Sequence, residues 1–249
     1  LVTGATGSLG SALIKAFHSQ GVERIVAYSR DEHKQGELAK LLGLKIDNPR
    51  LRLMLGDVRD YWRLVDACWG IDTIIHTAAL KRVDQVSYNP SEVLKTNVLG
   101  TQNVLQAAME CGVKRVLLIS SDKAVHPTNV YGAAKQMAEF LTVRQNVYAY
   151  PKGTICSVLR YGNVWGSRGS ILEVFREQIQ TGTLTVTDEN MTRFYVTLPQ
   201  AVGFVDDYKI PWKRVNICRL ALGKLVRADN NLGCLERAEL AQFDRCVIA

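Results

Sequence analysis

Two pairs of side chains near the middle of the chain have the types and spacing needed for redox and elimination chemistry. Tyr131 and Lys135 stand four residues apart, so in a helix they share one face. A lysine ammonium beside a tyrosine lowers the pKa of the phenol from about 10, which makes it a usable base for an alcohol that loses hydride. Asp122 and Lys123 add an acid and a base that simple alcohol oxidation does not need. Together they predict an enzyme that oxidises a sugar, eliminates water and returns the hydride.

Each of these residues is assigned a role. Oxidation at one sugar carbon acidifies the neighbouring C–H, and Lys123 in its neutral form removes that proton. Asp122 in its protonated form donates to the departing hydroxyl, as paired acid and base sites do. Ser121 hydrogen-bonds the reacting oxygen, whereas Ser120 is structural. In the alternative interpretation, Asp122 and Lys123 form only a polar turn between strand and loop.

A glycine-rich segment at the start of the chain predicts a dinucleotide site. It lies between a strand and a helix, and its glycines are spaced G-x-x-G-x-x-G. Such glycines allow a tight turn and a close backbone approach to a pyrophosphate, which then faces the helix N-terminus. The alternative is a plain connection between strand and helix. The predicted cofactor contacts are Thr3, Gly4, Thr6, Gly7, Ser8, Leu9 and Gly10.

The end of the second strand indicates which cofactor binds. NAD sites usually place an acidic residue there to hold the ribose 2′-hydroxyl. Here the strand runs into Ser29 and Arg30, with Lys34 one turn further on, and these side chains suit a 2′-phosphate. Asp31 comes one position late for the ribose. We therefore expect NADP rather than NAD; in the alternative, Arg30 and Lys34 are solvated surface charges.

Residues after the third and fourth strands complete the predicted cofactor site. Asp57, followed by Val58, suits the exocyclic amine of an adenine. Ala78 and Ala79 are small enough for the backbone to pass close to the cofactor. His76 lies inside a strand, and we interpret it as a core histidine rather than a catalyst.

The elements that must position these residues alternate along the chain. Short β-branched runs predict parallel strands at residues 24–28, 51–55, 73–76, 115–119 and 154–159. Amphipathic helices separate them, which indicates an α/β, Rossmann-like, doubly wound parallel sheet with a small C-terminal substrate-binding region. The predicted organisation is a dinucleotide-binding domain at 1–160, a substrate-binding region at 161–205 and an atypical tail at 206–249.

One helix between the fourth and fifth strands has a clear start. Asn89 is placed to cap it and Pro90 to occupy its first position. Its predicted buried face carries Leu94, Val98, Leu105 and Met109.

Composition narrows the function classes. The net charge of +7 comes from dispersed lysines and arginines without a dense basic run, which argues against nucleic acid and is compatible with an anionic nucleotide substrate. No apolar run reaches the ~20 residues of a membrane span, and no signal peptide is visible. The six cysteines have no metal-ligand spacing, so we expect no metal, reduced thiols and a cytoplasmic location. The chain opens without Met, so part of the first strand is expected to be missing.

The chain resembles the extended short-chain dehydrogenase/reductases. Within them it is similar to the soluble inverting UDP-N-acetylglucosamine 4,6-dehydratases of the polysaccharide biosynthesis family. The segments that carry the resemblance, which covers roughly residues 1 to 205, are 3–10, 28–34, 76–81, 95–101, 120–135, 160–170 and 187–194. Lys123, where retaining relatives usually have Glu, favours the inverting branch, and Tyr131 favours the soluble branch over membrane-bound relatives.

The resemblance implies a reaction and further contacts. NADP would oxidise C4 of UDP-N-acetylglucosamine or a related UDP-sugar, water would leave across C5 and C6, and hydride would return to C6 with inversion at C5. Asn97 would join Lys81, Tyr131 and Lys135 at the cofactor. The implied substrate contacts are Lys81, Tyr161, Asn163, Arg168 and Arg193. A homo-oligomer is also implied.

The tail departs from this pattern. Residues 207–249 lack the distal Arg-Pro-Gly-Glu-Lys element of the family and show weak periodicity, which suggests a frameshifted or truncated C-terminus. Two other functions stay open. One is a UDP-sugar 4-epimerase, which uses the Tyr/Lys pair without elimination, and the other is an inactive NADP-binding module.

Overall fold

A parallel sheet forms the centre of the computed structural model, which describes residues 1–43, 48–149, 153–167, 175, 178–180, 192–207, 218–221 and 224–227. Across these residues seven strands pair in the order β3-β2-β1-β4-β5-β6-β9, all parallel. The strands are β1 (Val2–Thr3), β2 (Ile25–Ser29), β3 (Leu51–Leu55), β4 (Thr73–His76), β5 (Arg115–Ser121), β6 (Ile155–Tyr161) and β9 (Cys218–Ala221).

Helices cover both faces of this sheet. They are α1 (Ser8–Ser19), α2 (Glu32–Leu41), α3 (Tyr61–Cys68), α4 (Val83–Val86), α5 (Pro90–Val93), α6 (Gly100–Glu110), α7 (Val130–Tyr148) and α8 (Leu198–Asp207). A π turn (Leu94–Leu99) joins α5 to α6, and a short 3₁₀ turn (Asp122–Ala124) follows β5. The predicted α/β, Rossmann-like class is confirmed.

The strands are buried on both sides, which explains their continuous apolar runs. Alternate residues of β2 enter two separate cores. Val26 and Tyr28 pack on the face that includes residues of α3 and α6, whereas Ile25 and Ala27 pack on the face that includes α1 and α8. The period of two along a strand divides them in this way.

The π turn changes which residues face the core ahead of α6. Val98 and Leu105 are buried as predicted, but Leu94 is 51% exposed and Val93 is fully buried in its place. An i→i+5 turn holds one residue more than an α-helical turn, so the apolar phase moves back by one position. Met109 lies at the exposed edge of the face. The predictions for Leu94 and Met109 are therefore wrong.

Two element boundaries also differ from expectation. Pro90 is the first residue of α5 as predicted, but the Asn89 amide donates to the Gln85 carbonyl oxygen at 2.9 Å and makes no capping bond. The strand predicted from Thr154 runs two residues past its expected end, to Tyr161. The extension places Tyr161 at the carboxyl end of β6, opposite the end of β5.

A small second sheet lies beyond β6. It pairs β7 (Asn163–Val164) with β8 (Thr192–Val196) in parallel, and β8 with β10 (Lys224–Arg227) in antiparallel orientation. Strands β9 and β10 both come from the segment expected to lack strand character. Each has four residues and pairs with distant chain, so it leaves little periodicity in the sequence. The domain boundaries at 160 and 205 stay a prediction.

Candidate functional site

The glycine-rich loop between β1 and α1 is shaped by the absence of side chains. Gly4 has a φ of +67°, and a Cβ added there would lie 2.8 Å from the backbone N and Cα of Ala78. A Cβ at Gly10 would lie 2.3 Å from the Gly4 carbonyl oxygen. Gly7 is the N-cap of α1, whose first turn carries no acidic residue. The loop therefore leaves the helix N-terminus open to an anion, as a pyrophosphate requires.

Not every predicted contact in this loop presents its side chain to a ligand. The Thr3 hydroxyl is buried and hydrogen-bonds His76 Nδ1 at 2.7 Å, while His76 Nε2 contacts the Thr101 hydroxyl at 3.0 Å. Leu9 packs in the core. Burial lowers the pKa of His76 to about 3, so it is a neutral core residue, as expected. Thr6 and Ser8 are half-buried at the loop.

A buried glutamine forms several hydrogen bonds at the end of β2. Gln35, buried on α2, donates through Nε2 to the carbonyl oxygens of Ser29 (3.1 Å) and Met54 (3.0 Å), and to the Ser29 hydroxyl oxygen (3.0 Å). Carbonyls only accept, so they fix the amide orientation. Ser29 Oγ then accepts from Gln35, and its own proton is directed elsewhere. Sequence reasoning missed Gln35, because a buried Gln on a polar helix gives no pattern.

The charges near Ser29 are paired with acids. Arg30 lies 3.4 Å from Asp57, and Lys34 contacts Asp31 at 2.7 Å. Asp31 is the N-cap of α2 and accepts from the Lys34 backbone N–H, which explains an acid at that position. Burial of Asp57 opposes ionisation, but hydrogen bonds and charge from Arg59 hold its pKa below the usual range.

Residues after β4 form a loop that is held by Asn97 in the π turn. The buried Asn97 amide accepts from Leu80 N–H at 2.8 Å and donates to the Leu80 carbonyl at 2.9 Å. This brace fixes the backbone of Ala78 and Ala79 beside Gly4. Val58 is buried against Gly100.

Ser121, Asp122 and Lys123 meet at the end of β5. The Ser121 hydroxyl donates to Asp122 Oδ1 at 2.9 Å and also hydrogen-bonds Tyr131. Lys123 Nζ donates to the same Asp122 oxygen at 3.1 Å and to Asn163 Oδ1 at 2.7 Å. The structure thus brings together the predicted acid, base and hydroxyl with one predicted substrate contact, Asn163.

The buried ammonium group of Lys135 is directed at the sheet. Its Nζ donates to the Ile119 carbonyl oxygen at 2.8 Å, and burial lowers its pKa to about 8. Burial also raises the pKa of Tyr131 to about 12, with the Ser121 hydrogen bond opposing and Asp122 reinforcing. The expected lowering of the Tyr131 pKa is therefore not found in this structure, because desolvation outweighs the groups that favour the phenolate.

The remaining predicted substrate contacts have different outcomes. Burial raises the pKa of Tyr161, and Tyr131 adds to the shift, so the two phenols are neighbours. The exposed Lys81 reaches the Ser167 hydroxyl at 3.4 Å. Arg168 and the side chain of Arg193 lie outside the described residues.

Two further residues position the segment that carries the predicted catalytic side chains, and the sequence analysis missed both. A Cβ at Gly132 would lie 2.2 Å from the Lys123 carbonyl oxygen, so the helix presses directly on the acid–base turn. The Asn129 side chain caps α7 by accepting from Gly132 N–H at 2.9 Å. A glycine directly after Tyr131, preceded by Asn at capping distance, is the signal that would have identified them.

Two absences concern the described residues alone. None of the helices assigned there has the length and apolar character to cross a bilayer. The same part of the chain holds no cluster of three or more His, Cys, Asp or Glu suited to a metal.

Comparison with known sequences identifies relatives. A family model described as polysaccharide biosynthesis protein matches residues 1–226. UDP-N-acetylglucosamine 4,6-dehydratase (inverting) from Campylobacter jejuni subsp. jejuni serotype O:2 is 44% identical over 208 residues, which are 82% of this chain and 61% of that protein. UDP-glucose 4-epimerase from Rickettsia conorii is 40% identical over 210 residues, or 82% and 60%. The chain therefore spans about three-fifths of the length of these curated relatives.

Solved structures share the fold. Pen from Bacillus thuringiensis superposes with a TM-score of 0.84 at 34% identity, covering 92% of this chain and 70% of that one. A structure described as MoeE5 in complex with UDP-glucose and NAD has a TM-score of 0.72 at 26% identity, covering 92% and 78%.

The family match extends into the predicted atypical tail. It ends at residue 226, whereas the sequence pattern predicts a departure from the family from residue 207 onward. The matched part of the tail contains β9 and the first three residues of β10. The tail as a separate unit stays a prediction.

Proposed function

This chain belongs to the polysaccharide biosynthesis protein family, and from that membership we propose that it is a sugar-nucleotide 4,6-dehydratase that acts on UDP-N-acetylglucosamine with inversion at C5. The observation that carries the proposal is the contact of Lys123 Nζ with Asp122 at 3.1 Å, within one hydrogen-bonded cluster with Ser121 and Tyr131. Elimination needs an acid and a base beside the oxidising residues, and this cluster supplies both.

The roles follow from the contacts. In its phenolate form, which the Ser121 hydrogen bond favours, Tyr131 accepts the proton of the C4 hydroxyl, and Ser121 holds the same oxygen. A proton passed from Lys123 to Asp122 along their shared contact leaves a neutral amine and a carboxylic acid. Lys123 then removes the C5 proton while Asp122 protonates the departing C6 hydroxyl, so one water leaves. A proton from solvent then adds to C5 on the opposite face and gives the inverted sugar, while Tyr131 releases its own proton to solvent. Lys123 is left as an ammonium and Asp122 as a carboxylate, as at the start. Asn163, bonded to Lys123, directs the amine.

A nicotinamide cofactor fits the other end of the site. When bound, it accepts hydride from C4 and returns hydride to C6. Gly4 and Gly10 pack so closely on neighbouring backbone that a side chain would not fit, and the tight loop they form leads into a helix N-terminus suited to a pyrophosphate. MoeE5, described with NAD and UDP-glucose bound, supports a cofactor of this class.

NADP is the form that the chain's residues favour. Ser29 Oγ accepts from Gln35, which leaves its hydroxyl proton for another acceptor, and a 2′-phosphate oxygen is an acceptor of this kind. Arg30 and Lys34 add positive charge at the same end, although Asp57 and Asp31 share it. The test is titration of the chain with NADP and with NAD by calorimetry. Tighter binding of NADP supports the proposal; equal or tighter binding of NAD overturns it.

The 40% identity to a UDP-glucose 4-epimerase favours a second candidate, epimerisation at C4 without loss of water. Incubation with UDP-N-acetylglucosamine in deuterated water, followed by NMR, separates the two. A 4-keto-6-deoxy product with deuterium at C5 and L-arabino configuration is the dehydratase result. A C4 epimer that retains its C6 hydroxyl is the epimerase result. Cofactor binding with no turnover of either kind would indicate an inactive NADP-binding module.

Two expectations about the whole protein stay proposals. A homo-oligomer and a cytoplasmic location are what the family resemblance and the composition predict. Sedimentation of the purified chain and fractionation of cells that express it would test them.

A further inference from the structure

Glu139 is a buried carboxylate that the proposed chemistry leaves without a role. It follows Tyr131 and Lys135 at the next four-residue step of α7, so the three share one stripe of the helix. Glu139 is only 2% exposed to solvent. A carboxylate at such depth is unfavourable unless charged and hydrogen-bonding partners satisfy it.

Those partners come from two strands. Arg160 on β6 donates from Nε to both Glu139 oxygens, at 2.9 and 3.1 Å, and from Nη2 to one of them. Ser120 on β5 donates its hydroxyl to Glu139. Ser120 and Arg160 are themselves partners in the β5–β6 register. One carboxylate therefore joins α7 to both strands at a single level of the sheet.

The paired residues Ser120 and Arg160 lie one position before Ser121 and Tyr161 in their strands. Tyr161 is also the neighbour of Tyr131. On the other side, Lys135 contacts the carbonyl of Ile119 at 2.8 Å. The helix is thus tied to β5 by two adjacent polar contacts, directly behind the acid–base turn.

We infer that Glu139, through Arg160 and Ser120, is a positioning residue that holds Tyr131 and Lys135 at the level of Ser121. The kinetic part of this inference rests on the proposed dehydratase function. Misplacement of a catalytic group by about 1 Å can cost 10²-fold in rate, so a tie at this level is expected to matter for turnover.

The charge of Glu139 adds a measurable consequence. Among the described residues, Lys135 faces His76 from β4 and Glu139 from its own helix. His76 is neutral, because its pKa is about 3. Burial lowers the pKa of Lys135 and Glu139 opposes the decrease. Loss of Glu139 should therefore move the deprotonation of Lys135 to lower pH, and the high-pH limb of activity with it.

The test replaces both members of the Glu139–Arg160 ion pair, rather than removing one and leaving the other unpaired. Glu139→Gln alone leaves Arg160 buried without its carboxylate and risks unfolding. The double variant Glu139→Leu/Arg160→Met substitutes apolar side chains of similar size, which buried ion pairs often tolerate. We expect near-wild-type melting temperature and cofactor affinity, kcat reduced by about 10²-fold, little change in KM and a high-pH limb at lower pH.

A purely structural role predicts the opposite result. A double variant with wild-type stability, wild-type kcat and an unmoved pH profile would overturn the inference. The matched control is the exposed pair of Asp72 and Lys114, whose double replacement by Asn and Gln should change neither kcat nor the profile.

A second measurement keeps the inference testable if the chain does not turn over UDP-N-acetylglucosamine. In that case the proposed function fails, but the Lys135 side chain can still be titrated by NMR in a chain with ¹³C-labelled lysines. A lower Lys135 titration midpoint in the double variant supports the tie, and an unchanged midpoint overturns it. A Lys135→Met sample assigns the signal.

Discussion

The loop after β1 is shaped by side chains that are absent, whereas the region beyond β5 and β6 is shaped by charged side chains that are buried. At Gly4 and Gly10 an added methyl group would overlap backbone atoms, so the dinucleotide end is determined by steric exclusion. At the chemical end, Glu139 and Arg160 determine geometry through hydrogen bonds. The glycine loop cannot accept a larger residue at Gly4 or Gly10, and the buried ion pair cannot lose one partner without leaving the other charge unpaired. Substitutions in the two regions should therefore fail in different ways.

Replacing the phenol of Tyr131, the proposed base, should produce the largest effect, and this effect should be confined to the region beyond β5 and β6. We expect Tyr131→Phe to lower kcat by about 10³-fold, because it removes the proposed proton acceptor, and to change cofactor affinity little, because the aromatic ring at the predicted cofactor contact is kept. Steady-state kinetics and calorimetry measure the two effects. Tyr148→Phe, at an exposed position of the same helix, is the control. Loss of cofactor affinity in Tyr131→Phe would mean that the two regions are not independent.

A methyl group at Gly4 should affect the dinucleotide end alone. Gly4→Ala combines an unfavourable φ with a contact of 2.8 Å to the Ala78 backbone, and we expect cofactor affinity to fall by about 10²-fold. Gly112→Ala is a sharp control, since Gly112 also has a positive φ but open space around it. It should cost about 1 kcal/mol of stability and no affinity. Equal affinities for wild type and Gly4→Ala would refute steric exclusion.

His76 on β4 links the end of β1, where the glycine loop begins, to α6, because it bonds Thr3 on one side and Thr101 on the other. Its folded pKa of about 3 lies below the unfolded value of 6.5, so the stabilisation is present above pH 6.5 and is lost as the pH falls toward 3. By pH 5 the loss should reach about 2 kcal/mol. Urea unfolding of wild type and His76→Gln between pH 7 and 4 measures it.

The variant should show the shallower dependence of unfolding free energy on pH, by roughly one proton. His33→Gln, at an exposed position of α2, should follow the wild type. Parallel curves for wild type and His76→Gln would show that His76 does not contribute to acid sensitivity.

Gln35 is the exception to the comparison, because it supports the dinucleotide end through hydrogen bonds rather than by steric exclusion. Replacing it should have the smallest effect of the substitutions considered. Gln35→Met removes the donor to Ser29 Oγ, and we expect the ratio of NADP to NAD affinity to fall by about tenfold. Calorimetry with both cofactors measures the ratio, with Gln102→Met on α6 as the control. If both affinities fall equally, Gln35 supports the loop without selecting the phosphate.

The same contrast explains how much the sequence could predict. The glycine loop, the alternating strands and the segment from Ser121 to Lys135 follow from local patterns, and the structure has the predicted fold and brings Ser121, Lys123, Tyr131 and Asn163 together. These features depend on residues close in the chain or on a repeated period.

What the sequence did not predict depends on contacts between distant residues. The pairing of Glu139 with Arg160 joins α7 to β6, and Gln35 on α2 donates to the carbonyl oxygen of Met54 on β3. The expected lowering of the Tyr131 pKa failed because burial, which spacing does not reveal, dominates it. Strands β9 and β10 are too short to show a period.

The π turn before α6 has a consequence for chain length. A six-residue π turn holds one residue beyond the α-helical count, and Leu94 is the residue that this surplus turns outward. Deleting Leu94 would convert the turn to regular helix and move Val93 into the position from which an α-helix faces the core. The face that carries Asn97 and Val98 would keep its direction. This segment is therefore a place where this chain could lose a residue while the loop braced by Asn97 stays where it is.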